Sequence, residues 1–148
     1  MGINCGLRIS DLLKLNVEDV KYKTYICLTE QKTGKYKRIP INDKLKQIIL
    51  AFTKERDENE PLFKTKSNKR LDRTMAYRII KNACNKINID VKIGTHTLRK
   101  TFGYHFYKKF KNIFLFQKIF NHSTSQITLR YIGIEQEIIE KAYLSFIL

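Results

Sequence analysis

Two neighbouring stretches of this sequence alternate polar and apolar residues, and they limit what kind of sheet the chain can build. Lys23 to Leu28 carries β-branched and aromatic residues at period two, and Tyr36 to Ile41 does the same. Pro40 near the end of the second run suits an edge strand, because proline has no N–H to give to a further ladder. Between the runs, Gln31-Lys-Thr-Gly-Lys35 supplies the glycine that a hairpin turn wants. The chain is 148 residues long, enough for one domain with a sizeable core, and most of the remainder has helical rather than strand periodicity. The expected fold class is therefore α+β, mainly α-helical with a small antiparallel β-hairpin.

The helices can be read from their apolar spacing and caps. Ile9 to Leu15 is a short amphipathic helix; Ser10 or Asp11 can cap its first turn, and Asp11 lies close enough to orient the Arg8 guanidinium. Asn42 to Lys54 turns Leu45, Ile48, Ile49 and Phe52 inward. Asp72 caps a helix running to about Asn88, with Met75, Ile79, Ile80, Ala83 and Ile87 as its apolar face. Thr95 caps a helix that carries His96 and Arg99 on one face, with Gly103 between them as a hole for close approach. Leu98, Phe102 and Phe106 form its core stripe, and His105 lies beside that stripe as a structural histidine. Asn112 starts a helix whose Ile113, Leu115, Phe116, Ile119 and Phe120 are mostly buried and which breaks at Asn121-His122. Ser123 to Gln126 matches a capping box with Ser123 as N-cap, opening the turn that delivers Tyr131. Glu135 to Leu148 is a last helix, rich in apolar residues such as Ile138, Ile139, Phe146 and Ile147.

Charge narrows the partner. Twenty-nine Lys+Arg against 14 Asp+Glu give a net charge of +15, which on a globular domain argues for a polyanion, while a Lys-rich surface from an A·T-rich genome is the blander explanation. Lys64 to Arg70 holds four basic residues in a loop composition suited to a phosphate backbone. Lys35, Lys64, Lys66, Lys69, Arg70 and Lys100 are the expected DNA-facing cations. No apolar run reaches the ~18 residues needed to span a bilayer, and no secretory pattern opens the chain. The three cysteines are scattered without a C-x-x-C, which fits reduced thiols in a cytosolic protein and does not suggest zinc. With no Gly-rich phosphate loop and no acidic cluster for magnesium, the expected chemistry needs neither metal nor cofactor.

Polar residues that recur through the chain then fall into a pattern: Cys5-Gly-Leu-Arg-Ile-Ser-Asp-Leu-Leu13, Lys32-Thr-Gly-Lys with Arg38-Ile-Pro-Ile41, His96-Thr-Leu-Arg-Lys-Thr-Phe102, and Asn121-His-Ser with Tyr131. In these pieces the sequence closely resembles the catalytic domain of tyrosine recombinases, the phage and transposon integrase family, with every element in family order. The resemblance implies a DNA breaking-rejoining fold and a catalytic set of Arg8, Lys32, His96, Arg99, His122 and Tyr131. The spacing alone leaves Lys32 and Lys35 open; the family pattern favours Lys32.

Each implied role has a physical reason. A tyrosine hydroxyl titrates near pH ~10 and is a weak nucleophile at neutral pH, and attack on a phosphodiester piles charge on its non-bridging oxygens. Two guanidiniums, Arg8 and Arg99, can grip those oxygens with charge-assisted pairs. By the resemblance, His96 is the general acid/base near the nucleophile, His122 donates to a phosphate oxygen, and Lys32 protonates the departing 5′ oxygen. Tyr131 becomes joined to the 3′ phosphate, so rejoining needs no ATP.

The pattern departs from the family at Asn121, where glycine is usual. The resemblance also implies a DNA-binding domain and a helical segment ahead of Gly6-Leu-Arg8; neither is in this sequence, so the expectation is an isolated catalytic domain or truncated product. Its partners are expected to be double-stranded DNA and, in the full-length protein, further copies forming a tetramer in the bacterial cytoplasm. Residues 134–148 either dock onto a neighbouring protomer or fold back onto their own domain. A non-catalytic DNA-binding remnant and a type IB topoisomerase-like relaxing enzyme are the competing functions.

Overall fold

The computed structural model describes residues 1–89, 93–94 and 96–146. Among these, eight helices and one hairpin follow in order: α1 (Gly2–Cys5), α2 (Ile9–Lys14), β1 (Tyr25–Thr29), β2 (Tyr36–Pro40), α3 (Asp43–Phe52), α4 (Arg73–Lys86), α5 (Thr97–Phe110), α6 (Ile113–Phe120), α7 (Ser125–Ile132) and α8 (Ile134–Ser145). The strands pair antiparallel with Tyr25 opposite Pro40 and Thr29 opposite Tyr36. Gly34 takes the left-handed conformation (φ 64°) that closes the turn.

Two buried clusters form. The first is aliphatic: Leu7, Leu12, Val17, Ile26, Leu45 and Leu62 knit α2, β1, α3 and the loop after α3. The second is aromatic: Phe116 and Phe120 pack with Ile132 and Ile134 against Phe102 and Phe106 of α5. α1 joins them, lying on α5 so closely that a Cβ on Gly2 would come 2.6 Å from Leu98 and one on Gly6 2.5 Å from Phe102. The hole at Gly103 is filled by side chains of Phe116 and Ile132 rather than by a backbone.

Several local expectations are corrected. Asn42, Asp72 and Asn112 cap α3, α4 and α6 through their side chains, but α7 is capped by Thr124, which accepts from the Ile127 N–H, and not by Ser123. The first turn of α2 has no side-chain cap; Asp11 is buried and accepts instead from the Gln31 N–H at 2.9 Å, pinning the helix to the hairpin. Ile48, Phe52, Met75, Ile79, Ile87 and Leu115 are exposed rather than inward, even where a neighbour such as Phe63 lies beside Phe52. His105 is exposed on the far side of α5 rather than structural. The expected cap Thr95 lies outside the described residues, as do Ile147 and Leu148; the last helix stops at Ser145, where Phe146 turns extended (φ −87°, ψ 112°), short of the expected run. Beyond Ile134, α8 leaves its apolar residues in the open, with Leu144 86% exposed. Its acidic side holds it: Glu137 pairs with Lys108 and Lys141 and accepts from the Tyr104 hydroxyl at 3.2 Å, so α8 is clasped to α5. No helix among the described residues is long and apolar enough to cross a membrane.

Candidate active site

The seam between the two clusters gathers most of the expected residues. Arg8 is the N-cap residue of α2 in extended conformation (φ −66°, ψ 148°), so its side chain leaves the helix toward the hairpin. There it lies 2.9 Å from the carboxylate of Glu30, and not on Asp11 as the sequence suggested. Arg99 is 2% exposed, with its guanidinium 3.9 Å from the Phe120 ring centre. It donates to the Gly6 carbonyl at 2.6 Å and to the Phe120 carbonyl at 3.2 Å, which ties the start of the chain to the end of α6.

The histidines and the tyrosine stand together beyond that arginine. His96, at the N-terminus of α5, has Nδ1 3.1 Å from the Tyr131 hydroxyl. The His122 ring meets the Tyr131 ring edge-on at 5.2 Å, and its Nδ1 lies 3.1 Å from the Thr128 hydroxyl. Phe120 packs edge-on to both. Burial lowers the affinity of His96 for a proton, and Arg73, Arg99, Lys100 and Arg8 lower it further; burial, Arg99 and Arg8 act alike on His122. Both imidazoles are therefore neutral at pH 7. Burial pushes the Tyr131 hydroxyl above its ordinary value, while Arg99 and Arg8 pull it back. A protonated tyrosine hydroxyl facing a neutral histidine can pass its proton to that ring.

The expected lysine and DNA-facing cations are less uniform. Lys32 is exposed in the hairpin turn, and Lys35 lines an open cavity of about 420 Å³ with Asn121 and His122. Lys66 and Lys69 are exposed on the loop before α4, and Lys100 reaches within 5.5 Å of the Tyr131 ring centre. Lys64 pairs with Glu60. Arg70 holds the loop to α2, donating to the carbonyls of Leu13 (2.8 Å) and Leu15 (3.2 Å) and to Asn16 (2.7 Å). Among the described residues no three His, Cys, Asp or Glu side chains group to hold a metal.

Sequence reasoning missed three residues at this seam. Glu30, 1% exposed, receives Arg8, Lys37, Thr33 and Asn121. Burial alone would raise its pKa, but Thr33, Lys37 and Arg8 together bring it down to about 2. The signal was available, since Glu30 is the sole acid between Lys21 and Arg38. Lys37 joins Glu30 to the Ile119 carbonyl at 2.6 Å. Arg73, on the first turn of α4, acts on His96 through its charge.

Known proteins resemble this chain in sequence and fold. A model of the phage integrase family matches residues 2–137. The chain is similar to the probable integrase/recombinase YoeC of Bacillus subtilis, 49% identical over 146 residues that cover 98% of this chain and 80% of that protein. It is 31% identical to the tyrosine recombinase XerA of Pyrococcus horikoshii, covering 94% of this chain and 51% of that one. The fold matches the crystal structure of XerA recombinase with a TM-score of 0.76 at 22% identity, over 97% of this chain and 53% of that one. It matches XerH bound to its difH substrate with 0.71 at 21%, over 95% and 43%. Apart from the Bacillus protein, the chain spans about half the length of these relatives. A matching model over nearly the whole chain, a relative at 49% identity and a common fold lead to one conclusion: the chain belongs to the phage integrase family.

Proposed function

We propose that this chain is the catalytic domain of a site-specific DNA recombinase that cuts and rejoins strands through a 3′-phosphotyrosine. The observation that carries the reading is the Tyr131 hydroxyl held 3.1 Å from His96 Nδ1 beside the buried Arg99. With His96 protonated at Nε2, Nδ1 accepts the tyrosine proton as the oxygen attacks phosphorus. Arg8 and Arg99 stabilise the charge on the non-bridging oxygens, with His122 as a further donor once it carries a proton at its free nitrogen. The P–O5′ bond breaks, and Lys32 gives its proton to the leaving 5′ oxygen. A 5′ hydroxyl then attacks the phosphotyrosine, the tyrosine takes back a proton, and the energy of the phosphodiester is conserved throughout.

The partner is double-stranded DNA, a reading supported by the likeness to XerH bound to its difH substrate. Lys35, Lys66, Lys69 and Lys100 face the phosphates, and Lys64 and Arg70 hold the loop that presents Lys66 and Lys69. On DNA the full-length protein works as a tetramer in the bacterial cytoplasm, with α8 passing to a neighbouring copy once the Glu137 clasp opens.

A nicked suicide duplex tests the chemistry. The chain should form a covalent adduct that Tyr131→Phe abolishes. An adduct that survives Tyr131→Phe excludes Tyr131 as the nucleophile, and binding without any adduct points to a remnant. Relaxation of supercoils without sequence preference points to a topoisomerase-like enzyme.

A further inference from the structure

The geometry points to Glu30 as a positioning residue of this site, acting with Asn121 as a clip that sets Arg8 and the Lys32 turn against the His122 loop; the inference rests on the recombinase reading above. Four segments converge on one buried carboxylate. Arg8 at the start of α2 lies 2.9 Å from Oε1, and Lys37 of β2 lies 3.3 Å from the same oxygen. The Thr33 hydroxyl, one residue past Lys32, donates to Oε2 at 2.8 Å. Asn121 Nδ2, one residue before His122, donates to Oε2 at 3.2 Å.

Two features make this more than an ion pair. First, the groups that meet Glu30 are an arginine of the clamp and the immediate neighbours of two other site residues, so a shift of this carboxylate moves all three. Second, Asn121 stands in the left-handed region (φ 53°, ψ 42°). Glycine would adopt that conformation without cost, and asparagine is among the few other residues that tolerate it. What asparagine adds is the amide that reaches Glu30, a cross-link between the α6–α7 junction and the hairpin that glycine cannot make. Because Arg8 presents a fork of several donors, one edge held by Glu30 leaves the others for a phosphate.

Variants at position 121 test the clip without touching the clamp. Asn121→Gly keeps the backbone conformation and removes the bond. Asn121→Asp turns a donor into a carboxylate facing Glu30. Adding Glu30→Gln to Asn121→Asp reverses donor and acceptor and restores the bond. Each is read by the rate of covalent capture on nicked duplexes drawn from a random-sequence pool, by pyrophosphate binding in calorimetry, and by melting temperature. Asn121→Gly should slow capture about 3- to 10-fold, the worth of one hydrogen bond. Asn121→Asp should slow it about 10²-fold, as a misplaced reacting group does, and weaken pyrophosphate binding. The reversed pair should recover at least about tenfold of the Asn121→Asp loss. The half-saturating DNA concentration should stay within about twofold, because backbone contacts elsewhere set it.

Asn121→Asp at the wild-type rate with unchanged pyrophosphate binding overturns the proposal, as does a reversed pair that restores melting temperature but not rate. If Glu30→Gln does not fold, the two single variants at 121 decide alone. Wild-type protein whose pyrophosphate binding is weakened by Asn121→Asp, yet which forms no adduct, keeps the clip and sinks the recombinase reading. Wild-type adduct that Asn121→Asp leaves untouched sinks the clip alone, and wild-type protein with neither adduct nor pyrophosphate binding sinks both.

Discussion

The two buried clusters are made of different side chains and hold different parts of the proposed site. Around Leu12, Ile26 and Leu45 the interior is aliphatic, and the site groups it supports, Arg8 and the Lys32 turn, are fixed at their bases by hydrogen bonds and charge. Around Phe116 and Phe120 the interior is aromatic, and the Phe120 ring itself touches His122 and Tyr131. One half positions its groups at a distance through Glu30; the other packs its core directly against Tyr131, the proposed nucleophile. Damage to the aliphatic cluster should therefore reach the chemistry only through stability, while damage to the aromatic cluster should reach both.

The sharpest way to break this contrast is Phe116→Ala set beside Leu45→Ala. The first should cost about 3–5 kcal/mol in denaturant unfolding and the second about 2–5. Of the two, Phe116→Ala alone should slow adduct formation measured on the folded fraction; equal slowing by Leu45→Ala would erase the distinction. Next comes Arg99→Lys, which removes the fork that bridges Gly6 and Phe120. Its capture rate should fall about 10²–10³-fold, the usual loss for a charge-stabilising donor. Its melting temperature should also drop, because a single ammonium cannot serve both carbonyls and a phosphate.

Acid tests the aliphatic side. The Glu30 carboxyl is held at about 2, below its ordinary 4.5, so folding releases its proton and the stability it contributes is present above pH ~4.5. That contribution is lost as pH falls from about 4.5 toward 2, and Glu30→Gln should flatten this limb of the unfolding profile. An unchanged limb would remove Glu30 from the account. The smallest expected effect is at the α7 cap: Thr124→Ala should cost about 1 kcal/mol and Ser123→Ala no more than about 0.5. The reverse order would restore Ser123 as the cap.

Much of this architecture can be read from residue order. The hairpin, the caps at Asn42, Asp72 and Asn112, and the helices bearing Arg99 and Tyr131 follow from period, glycine and cap chemistry, which are local. Periodicity reports that a helix has an apolar face and says nothing of what covers it, so Ile48, Ile79 and Leu115 read as buried and are not. The Glu30 hub was hidden for another reason. Its partners lie as far as 91 residues along the chain, and only the folded seam brings Asn121 to the hairpin. Arg8 was drawn toward Asp11 by sequence proximity, whereas its extended backbone turns it to the residue that is near in space.

The two carbonyl bonds of Arg99 have a consequence for how such chains age. A side chain that closes the fold and, on the proposed reading, also serves the reaction is retained by either demand. In a lineage that no longer exchanged DNA strands, Arg99 would persist because its two carbonyl bonds still stabilise the fold, while Lys32, exposed in a turn and needed by no neighbour in the core, would drift first. The surface lysine, and not the buried arginine, is the place where disuse would first leave its mark.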